Sequence, residues 1–460
     1  MFYKLFPFKL QLQIFQLDEY SSKKLLLWVF THFLTRSIEN KKPLIWTQKA
    51  RSLYYFSIVL TFIVLALATY YFKIMGIILG IFIATQPYLL LIIASSILLP
   101  FENYRKQKIR DKTQSKIDSF TKLKIIGVTG SYGKTSVKEI LYQILKTQYR
   151  VLKTPESYNT PYGIAKVVDL ELDDSYEFFI CEMGAYRIGE IKEICDMVHP
   201  NYGILTGINE QHIETFGSLQ NTTKGKFELI DSLPDSGYGV INIDNTYIKN
   251  NYQNYKQKQI PYGYTDEKFS IKNIRTRAQA WEFTLILNGK EYHSKTKLLG
   301  KPNLQNILAA ATMSYLQGMK PLAITAAIAN LKPIPHRLEL KEQQNMTIID
   351  DAYNSNVDGF KGAIELMNLF KQPKILITPG IVDLGEHTFS IHKELGILLS
   401  DMDYVILVGK SERTKGLKEG LKNKNKLIET DTLQEALKKI SSLKVNHPVV
   451  LLENDLPDNY

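Results

Sequence analysis

The sequence predicts an α/β protein behind an N-terminal transmembrane helical hairpin, with a central phosphate-loop-type α/β ATPase domain and a C-terminal Rossmann-like α/β domain. Three observations carry that reading. Two uncharged apolar runs stand in tandem near the N-terminus. From about Lys122 onward, short apolar runs alternate with amphipathic helical patterns. A glycine-punctuated turn ending in Lys-Thr joins the first of these runs to a helix-like stretch. At 460 residues and 45% hydrophobic content, the chain has the material for a large core and for two or three domains.

The first apolar run, Leu53 to Phe72, is free of charge and has the roughly twenty residues that a spanning helix needs. After the lone Lys73 comes Ile74 to Phe101, also uncharged, in which Thr85-Gln86-Pro87 predicts a kink rather than an end. Tyr54, Tyr55, Tyr70 and Tyr71 fall at the segment ends, where amphipathic rings prefer an interface. Basic clusters lie on both sides, "ENKKPLIWTQKAR" before and "RKQKIRDKTQSK" after. Positive-inside counting then implies a multi-pass protein of the cell membrane with its catalytic part in the cytoplasm. The shorter run Leu25 to Leu34 is too short to span and suits an interfacial position. No small-residue cleavage site follows the N-terminal apolar stretch, so no removable signal peptide is expected. Residues 1–117 form this membrane-anchoring region, and a pair of buried helices in a soluble domain is the rarer alternative.

A formal net charge of +11 raises nucleic-acid binding as a class. The basic residues flank apolar segments instead, and no zinc spacing, recognition helix or aromatic-basic repeat accompanies them, so no nucleic-acid partner is expected. The two cysteines, Cys181 and Cys195, make no disulfide framework and fit a reducing cytosol.

Strands are expected at "KIIGVTG", "EFFICEMG", "YGILTGI" and "GYGVINID" in a mainly parallel sheet. Residues 270–299 read as antiparallel strands with Asn288-Gly289 as the tight turn. An alanine-rich helix follows in "NLQNILAAATMSYLQGM". The two prolines of "LKPIPH", Leu331 to His336, mark a linker. Beyond it, "MTIIDDAYN", "KILITPGI", "YVILVGK" and "HPVVLLEND" resume the α/β rhythm. The central domain is thus 118–331 and the C-terminal domain 332–460.

In "KLKIIGVTGSYGKTSVKEILYQIL", Lys122 to Leu145, a strand feeds a glycine turn that opens a helix, so backbone N–H groups and the helix N-terminus can surround phosphate oxygens. Lys134 is placed to reach the β/γ-phosphates of ATP and Thr135 to offer its hydroxyl to Mg2+. The usual phosphate-loop spacing puts its first glycine at Val128, so the pattern is better written T-G-S-x-G-K-T, Thr129 to Thr135. An ordinary strand-turn-helix junction is the bland alternative.

This variant resembles the Mur ligase family, the ATP-dependent amide-forming enzymes of peptidoglycan precursor synthesis. Further segments resemble the family in order. "ESYNTPYGIAKVV" is similar to its Asn-containing segment, and "CEMGAYRIGEI" to its Glu-Met-Gly motif. "LTGINEQHIETFGSLQNTTKGKFELI" is similar to its Asn, His and lysine block, and "GKPNLQNILAA" to the segment carrying adenine-contacting asparagines. "PHRLE" and "IIDDAYNSN" resemble the ATP-binding start of the C-terminal domain, and "VDLGEHTFSIHKELG" the Leu-Gly-Glu…His signature.

The resemblance implies nucleotide binding at Thr129, Gly130, Ser131, Gly133, Lys134, Thr135, Ser136, Asn303, Asn306, Arg337, Asp351, Tyr353 and Asn354. It implies Mg2+ ligation by Thr135, Glu182 and His212, and catalytic roles for Lys134, His212 and Lys226, the last matching a lysine carbamylated in many members. The implied substrates are a small cell-wall precursor and an amino acid or dipeptide, D-alanyl-D-alanine being the best single expectation from the Leu-Gly-Glu…His segment. Such chemistry activates a carboxylate as an acyl phosphate, and the crowded negative charge calls for Lys134 and Mg2+. Glu182 and His212 follow strand-like runs, which directs both to the sheet edge where open α/β folds bind ligands. Read singly, the residues have plainer alternatives: a surface carboxylate at Glu182, a structural histidine at His212, a solvated helix start at Lys226 and helix capping by Asp350 and Asp351.

The chain departs from the family where a soluble UDP-holding domain usually precedes the phosphate loop. It also departs at Tyr132, where Asn is frequent, at Pro302, where His is frequent, and at its ending "VVLLENDLPDNY". The alternatives are a related ligase with another acceptor, of poly-γ-glutamate type or lipid-linked, and a membrane-bound nucleotide-binding scaffold.

Overall fold

The computed structural model of the chain describes residues 8–17, 20–31, 43–155, 158–209, 213–276, 280–343, 345–353, 356–382, 384–443 and 445–454. They form two compact units, residues 1–108 and 109–460.

The first unit is helical, with helices Phe8–Leu17, Ser22–Thr31 and Gln48–Ala84 and the start of Pro87–Asp118. Leu12, Phe15, Leu25, Val29, Leu53, Leu91 and Ala94 make its small core. Lys73 breaks the helix Gln48–Ala84 with φ 50° and ψ −126°, and the two halves fold back on each other. Ile58, Phe62 and Leu65 from one half line a cavity with Gly80 and Ile81 from the other. At Thr85 the helix ends outright, with the Thr85 N–H bonding back to Ile81 O, and Pro87 opens the next helix. The expected kink is therefore a true end, because proline lacks the N–H that would continue the ladder. Gln48–Ile83 and Pro87–Asp118 are long and apolar enough to cross a membrane by length and composition only.

The second unit carries the α/β architecture. Strands β1 (Lys124–Thr129), β2 (Val151–Lys153), β3 (Phe178–Glu182), β4 (Tyr202–Leu205), β5 (Tyr238–Asn242) and β6 (Gln259–Tyr262) form one parallel sheet in the order β2-β3-β1-β4-β5-β6. Both faces are covered, which explains why the inner strands β1, β3, β4 and β5 read as apolar runs, while the edge strands β2 and β6 were not marked. Val137, Ile140 and Leu141 pack with Leu304, Ile307 and Leu308 on one side, and Ile164, Val168, Ile191, Leu229 and Ile230 cover the other. Strands β7 (Phe269–Thr276), β8 (Trp281–Leu287) and β9 (Lys290–Thr296) make the expected antiparallel meander. Asn288 and Gly289 take φ of 51° and 75° in its second turn, the pair of left-handed residues that a two-residue hairpin turn requires.

The C-terminal sheet consists of β10 (Glu339–Gln343), β11 (Met346–Asp351), β12 (Lys374–Thr378), β13 (Tyr404–Val408), β14 (Leu427–Thr430) and β15 (Val449–Glu453), in the order β10-β11-β15-β12-β13-β14. All pairings are parallel except β10 with β11. Sequence patterning had not marked β10 or β14. Both are edge strands, and β10, half exposed and charged, has no apolar run to betray it.

Candidate active site

The loop after β1 is set by its glycines. Gly130 has φ 152°, and a Cβ there would lie 2.1 Å from Thr206 Oγ1. Gly133, at φ 78°, caps the helix Lys134–Leu145, and a Cβ on it would lie 2.9 Å from Asn306 Oδ1. A backbone so crowded accepts only glycine, and it leaves N–H groups bare of side chains for phosphate oxygens. Thr129 Oγ1 donates to Met183 O at 2.9 Å, and the Ser131 N–H bonds Gly207 O at 2.7 Å. The Lys134 ammonium folds over the loop, donating to Gly130 O at 2.7 Å and Ser131 O at 3.2 Å. Burial lowers its pKa, Glu182 pulls it back up and Arg337 lowers it further.

Glu182 ends β3 beside β1, in register with Val128, and is buried. Its Oε1 accepts from Thr135 Oγ1 and Asn159 Nδ2, both at 3.2 Å. Its Oε2 lies 3.0 Å from the ammonium of Lys138, a fully buried lysine one turn beyond Lys134. The sequence reading did not single out Lys138. Its signal is a lysine on the apolar face of a helix whose other core positions are Val137, Ile140, Leu141 and Ile144.

Lys226, on the helix Leu219–Asp231, is buried as well. It donates to Ala185 O at 3.1 Å and lies 5.3 Å from the Phe216 ring centre. Burial and the nearby Lys134 charge lower its pKa to about 7. The alternative of a solvated helix start does not describe it. His212 and Asn354 lie outside the described residues.

A cavity of about 280 Å³ opens beside this loop, lined among others by Tyr132, Gly133, Ser136, Asn303, Asn306 and Arg337, with Asp351 and Pro302 also on its wall. Asn303 Nδ2 donates to Leu299 O at 2.8 Å, which fixes the start of the helix Lys301–Leu316. Tyr132, where family members frequently have Asn, is held by Asn245 Nδ2 at 3.2 Å. Arg337 enters from the C-terminal lobe with its guanidinium 4.4 Å from the Tyr353 ring centre. Burial raises the Asp351 carboxyl, and Arg337 opposes that rise. Asp350 and Asp351 do not cap the following helix, whose N-cap is Asn356.

The set fits the groups it would hold. Thr135 Oγ1 and Glu182 Oε1 are adjacent hard oxygen donors, suited to Mg2+. The glycine loop with Lys134, facing a cavity walled by asparagines and an arginine, suits a nucleotide triphosphate. Among the described residues no group of three or more His, Cys, Asp or Glu side chains gathers as a metal cluster, and His212, an implied ligand, lies outside them.

Fold and site thus define an α/β enzyme that binds a nucleoside triphosphate between two lobes. Comparison with known proteins narrows the class. The Mur ligase middle domain matches residues 128–314, and the Mur ligase glutamate ligase domain matches residues 336–452. The UDP-N-acetylmuramoyl-tripeptide–D-alanyl-D-alanine ligase of Escherichia coli K12 is 30% identical over 319 residues, 66% of this chain and 70% of the relative. Its Bacillus subtilis counterpart is 31% identical, covering 62% of this chain and 63% of that protein. The structure of the MurF ligase from Thermotoga maritima in complex with ADP superposes with a TM-score of 0.69 at 25% identity, covering 77% of this chain and 81% of that one. The chain belongs to the Mur ligase family. It is an ATP-dependent, ADP-forming ligase that uses Mg2+.

These relatives correct one expectation. The Mur ligases that the chain matches are soluble cytoplasmic enzymes, and two apolar helices recognised by length and composition do not make this chain a multi-pass membrane protein.

Proposed function

We propose that this ligase adds D-alanyl-D-alanine to a muramoyl-tripeptide through an acyl phosphate. The observation that carries the reading is the gathering of Lys134, Thr135, Glu182 and Lys226 around one phosphate loop. The names of relatives 28–31% identical to the chain support the choice of substrates. In this reaction the tripeptide carboxylate takes the γ-phosphoryl group and ADP leaves. The dipeptide amine then attacks the acyl carbon, losing a proton, and phosphate departs.

Lys134 moves from the loop carbonyls onto the phosphates, where its charge offsets the negative charge of transfer. Thr135, Glu182 and His212 would hold Mg2+, which would supply Lewis-acid stabilisation when bound. With its pKa near 7, Lys226 offers a neutral amine whose nitrogen adds to the carbon of carbon dioxide and releases a proton to solvent, and the resulting carbamate would be an anionic ligand or positioning group. Asn303 and Asn306 take the adenine side, and Arg337, Asp351, Tyr353 and Asn354 close the nucleotide from residues 332–460. The N-terminal helical region stands where such ligases usually carry the domain that holds UDP, so the UDP group is a variable of its own in the test.

The test is ADP and phosphate release by the full chain with muramoyl-tripeptide, with and without UDP, and D-alanyl-D-alanine. Release requiring both substrates, and lost in Lys134→Ala, is expected. Silence with this pair while ADP still binds sinks the substrate assignment.

A further inference from the structure

The nucleotide-facing Arg337 is flanked by two residues in an unusual backbone state. His336 and Leu338 have φ of 58° and 52°, the left-handed region that residues with a Cβ avoid. Such conformations persist where surrounding contacts over-determine them, and they gather at functional sites.

The contacts that hold this turn come from the end of β11. Asp350 Oδ2 lies 2.9 Å from His336 Nδ1 and 2.5 Å from Lys341 Nζ. Asp351 Oδ1 accepts the Leu338 N–H at 3.1 Å. Glu339 Oε2 accepts the His336 N–H at 3.3 Å and pairs with Lys341 at 3.0 Å. Asp350 also accepts the Ala352 N–H through Oδ1 at 3.3 Å, and it faces Glu339 across the β10–β11 register. The Asp350 side chain is only 6% exposed, against 51% for His336.

A buried carboxylate thus grips the exposed side of a strained three-residue turn, and the middle residue of that turn points its guanidinium into the nucleotide cavity. We propose that His336 and Asp350 are positioning residues for Arg337: their contact keeps the strained turn closed, and with it the arginine aimed at the nucleotide phosphates. The inference rests on the nucleotide reading of the cavity and adds residues that do not line it. Without the clamp, the turn relaxes toward ordinary backbone angles and Arg337 swings out of the cavity.

The test is a double-mutant cycle on ADP affinity, measured calorimetrically with Mg2+ on the full chain, with Tm followed for every variant. Arg337→Ala is expected to raise the Kd for ADP by about 100-fold. His336→Ala and Asp350→Asn are each expected to raise it about tenfold, and to add less than about twofold in the Arg337→Ala background. His336→Asn, which tolerates the left-handed state and keeps a donor for Asp350, should restore affinity to within about twofold. His336 is half-exposed, so its replacement tests the clamp even if Asp350→Asn fails to fold. Full additivity with Arg337→Ala, or an unchanged Kd in His336→Ala, overturns the proposal. If Arg337→Ala leaves ADP binding intact, the nucleotide reading of the cavity falls and takes the clamp with it.

Discussion

Strands β3 and β11 both end in acids beside the proposed nucleotide site, yet the two ends use their carboxylates differently. At the end of β3, Glu182 is met by three side-chain donors, Lys138 at 3.0 Å and Thr135 and Asn159 at 3.2 Å. At the end of β11, Asp350 and Asp351 spend much of their bonding on the turn around Arg337, Asp350 on the His336 ring and Asp351 on the Leu338 N–H. The first arrangement is a balanced charge centre, ready to exchange a hydroxyl donor for a cation. The second is scaffolding for a charge supplied by another residue. One lobe therefore presents its chemistry on a rigid loop and helix, whereas the other presents it on a turn that has to be held.

The strongest way to break this comparison is to remove the counter-ion of Glu182. Lys138→Met leaves a buried carboxylate without its cation, which is expected to cost ~3–5 kcal/mol in urea unfolding. Glu182→Gln removes the nearer of the two carboxylates beside that ammonium, Glu139 Oε1 remaining at 3.8 Å, and is expected to cost less. The double variant should recover most of the loss, since two uncharged partners leave no uncompensated charge. A Lys138→Met cost below about 1 kcal/mol, or a double variant no better than the singles, would mean that the pair is not the centre described.

Much of the β3 side was legible in the sequence, and much of the β11 side was not. The phosphate loop is local: strand, glycines, Lys134, Thr135 and helix are contiguous, so order alone specifies their geometry. The four inner strands of the central sheet, β3, β1, β4 and β5, announced themselves as unbroken apolar runs because helices cover both faces, whereas the short edge strands β2 and β6 did not. Lys138 escaped notice because its partner Glu182 is 44 positions away in the chain, and a lysine on a helix ordinarily reads as solvated. The strain at Leu338 is equally silent, because nothing in a leucine signals a positive φ. At the N-terminus the apolar runs marked helices on either side of Lys73, where the helix does break, but composition fixed neither the end at Thr85 nor the setting of those helices.

A second, smaller effect separates the lobes by pH. The Lys226 amine has an ordinary value of 10.5, lowered to about 7 in the folded chain, chiefly by burial. Between these values the unfolded chain binds more protons, so stability rises with pH and the slope approaches ~1.4 kcal/mol per unit. Below pH 7 both states are protonated and the slope disappears. Urea unfolding in carbon-dioxide-free buffer from pH 6 to about 9.5 should show this rise, and Lys226→Met should flatten it. A Lys226→Met profile as steep as that of the unmodified chain would remove Lys226 as its source. The β11 side acts with the opposite sign, because burial raises the Asp351 carboxyl, so the folded chain holds a proton that the unfolded chain has lost and stability falls as pH rises toward about 7.

The smallest effect tests whether Arg337 is held from above as well as from below. Tyr353 is 44% exposed, and its ring lies 4.4 Å from the guanidinium carbon. A cation–π contact at a half-exposed site contributes about 0.5–1 kcal/mol. Tyr353→Ala should therefore raise the Kd for ADP by roughly two- to fivefold, and Tyr353→Phe, which keeps the ring, should leave it unchanged. If the ring only steadies an arginine already aimed by the turn, its loss acts on residual motion and remains small. A loss as large as that of Arg337→Ala would place the aiming in the stacked ring and reduce the carboxylates of β11 to bystanders. The size of this one change therefore ranks the two supports against each other.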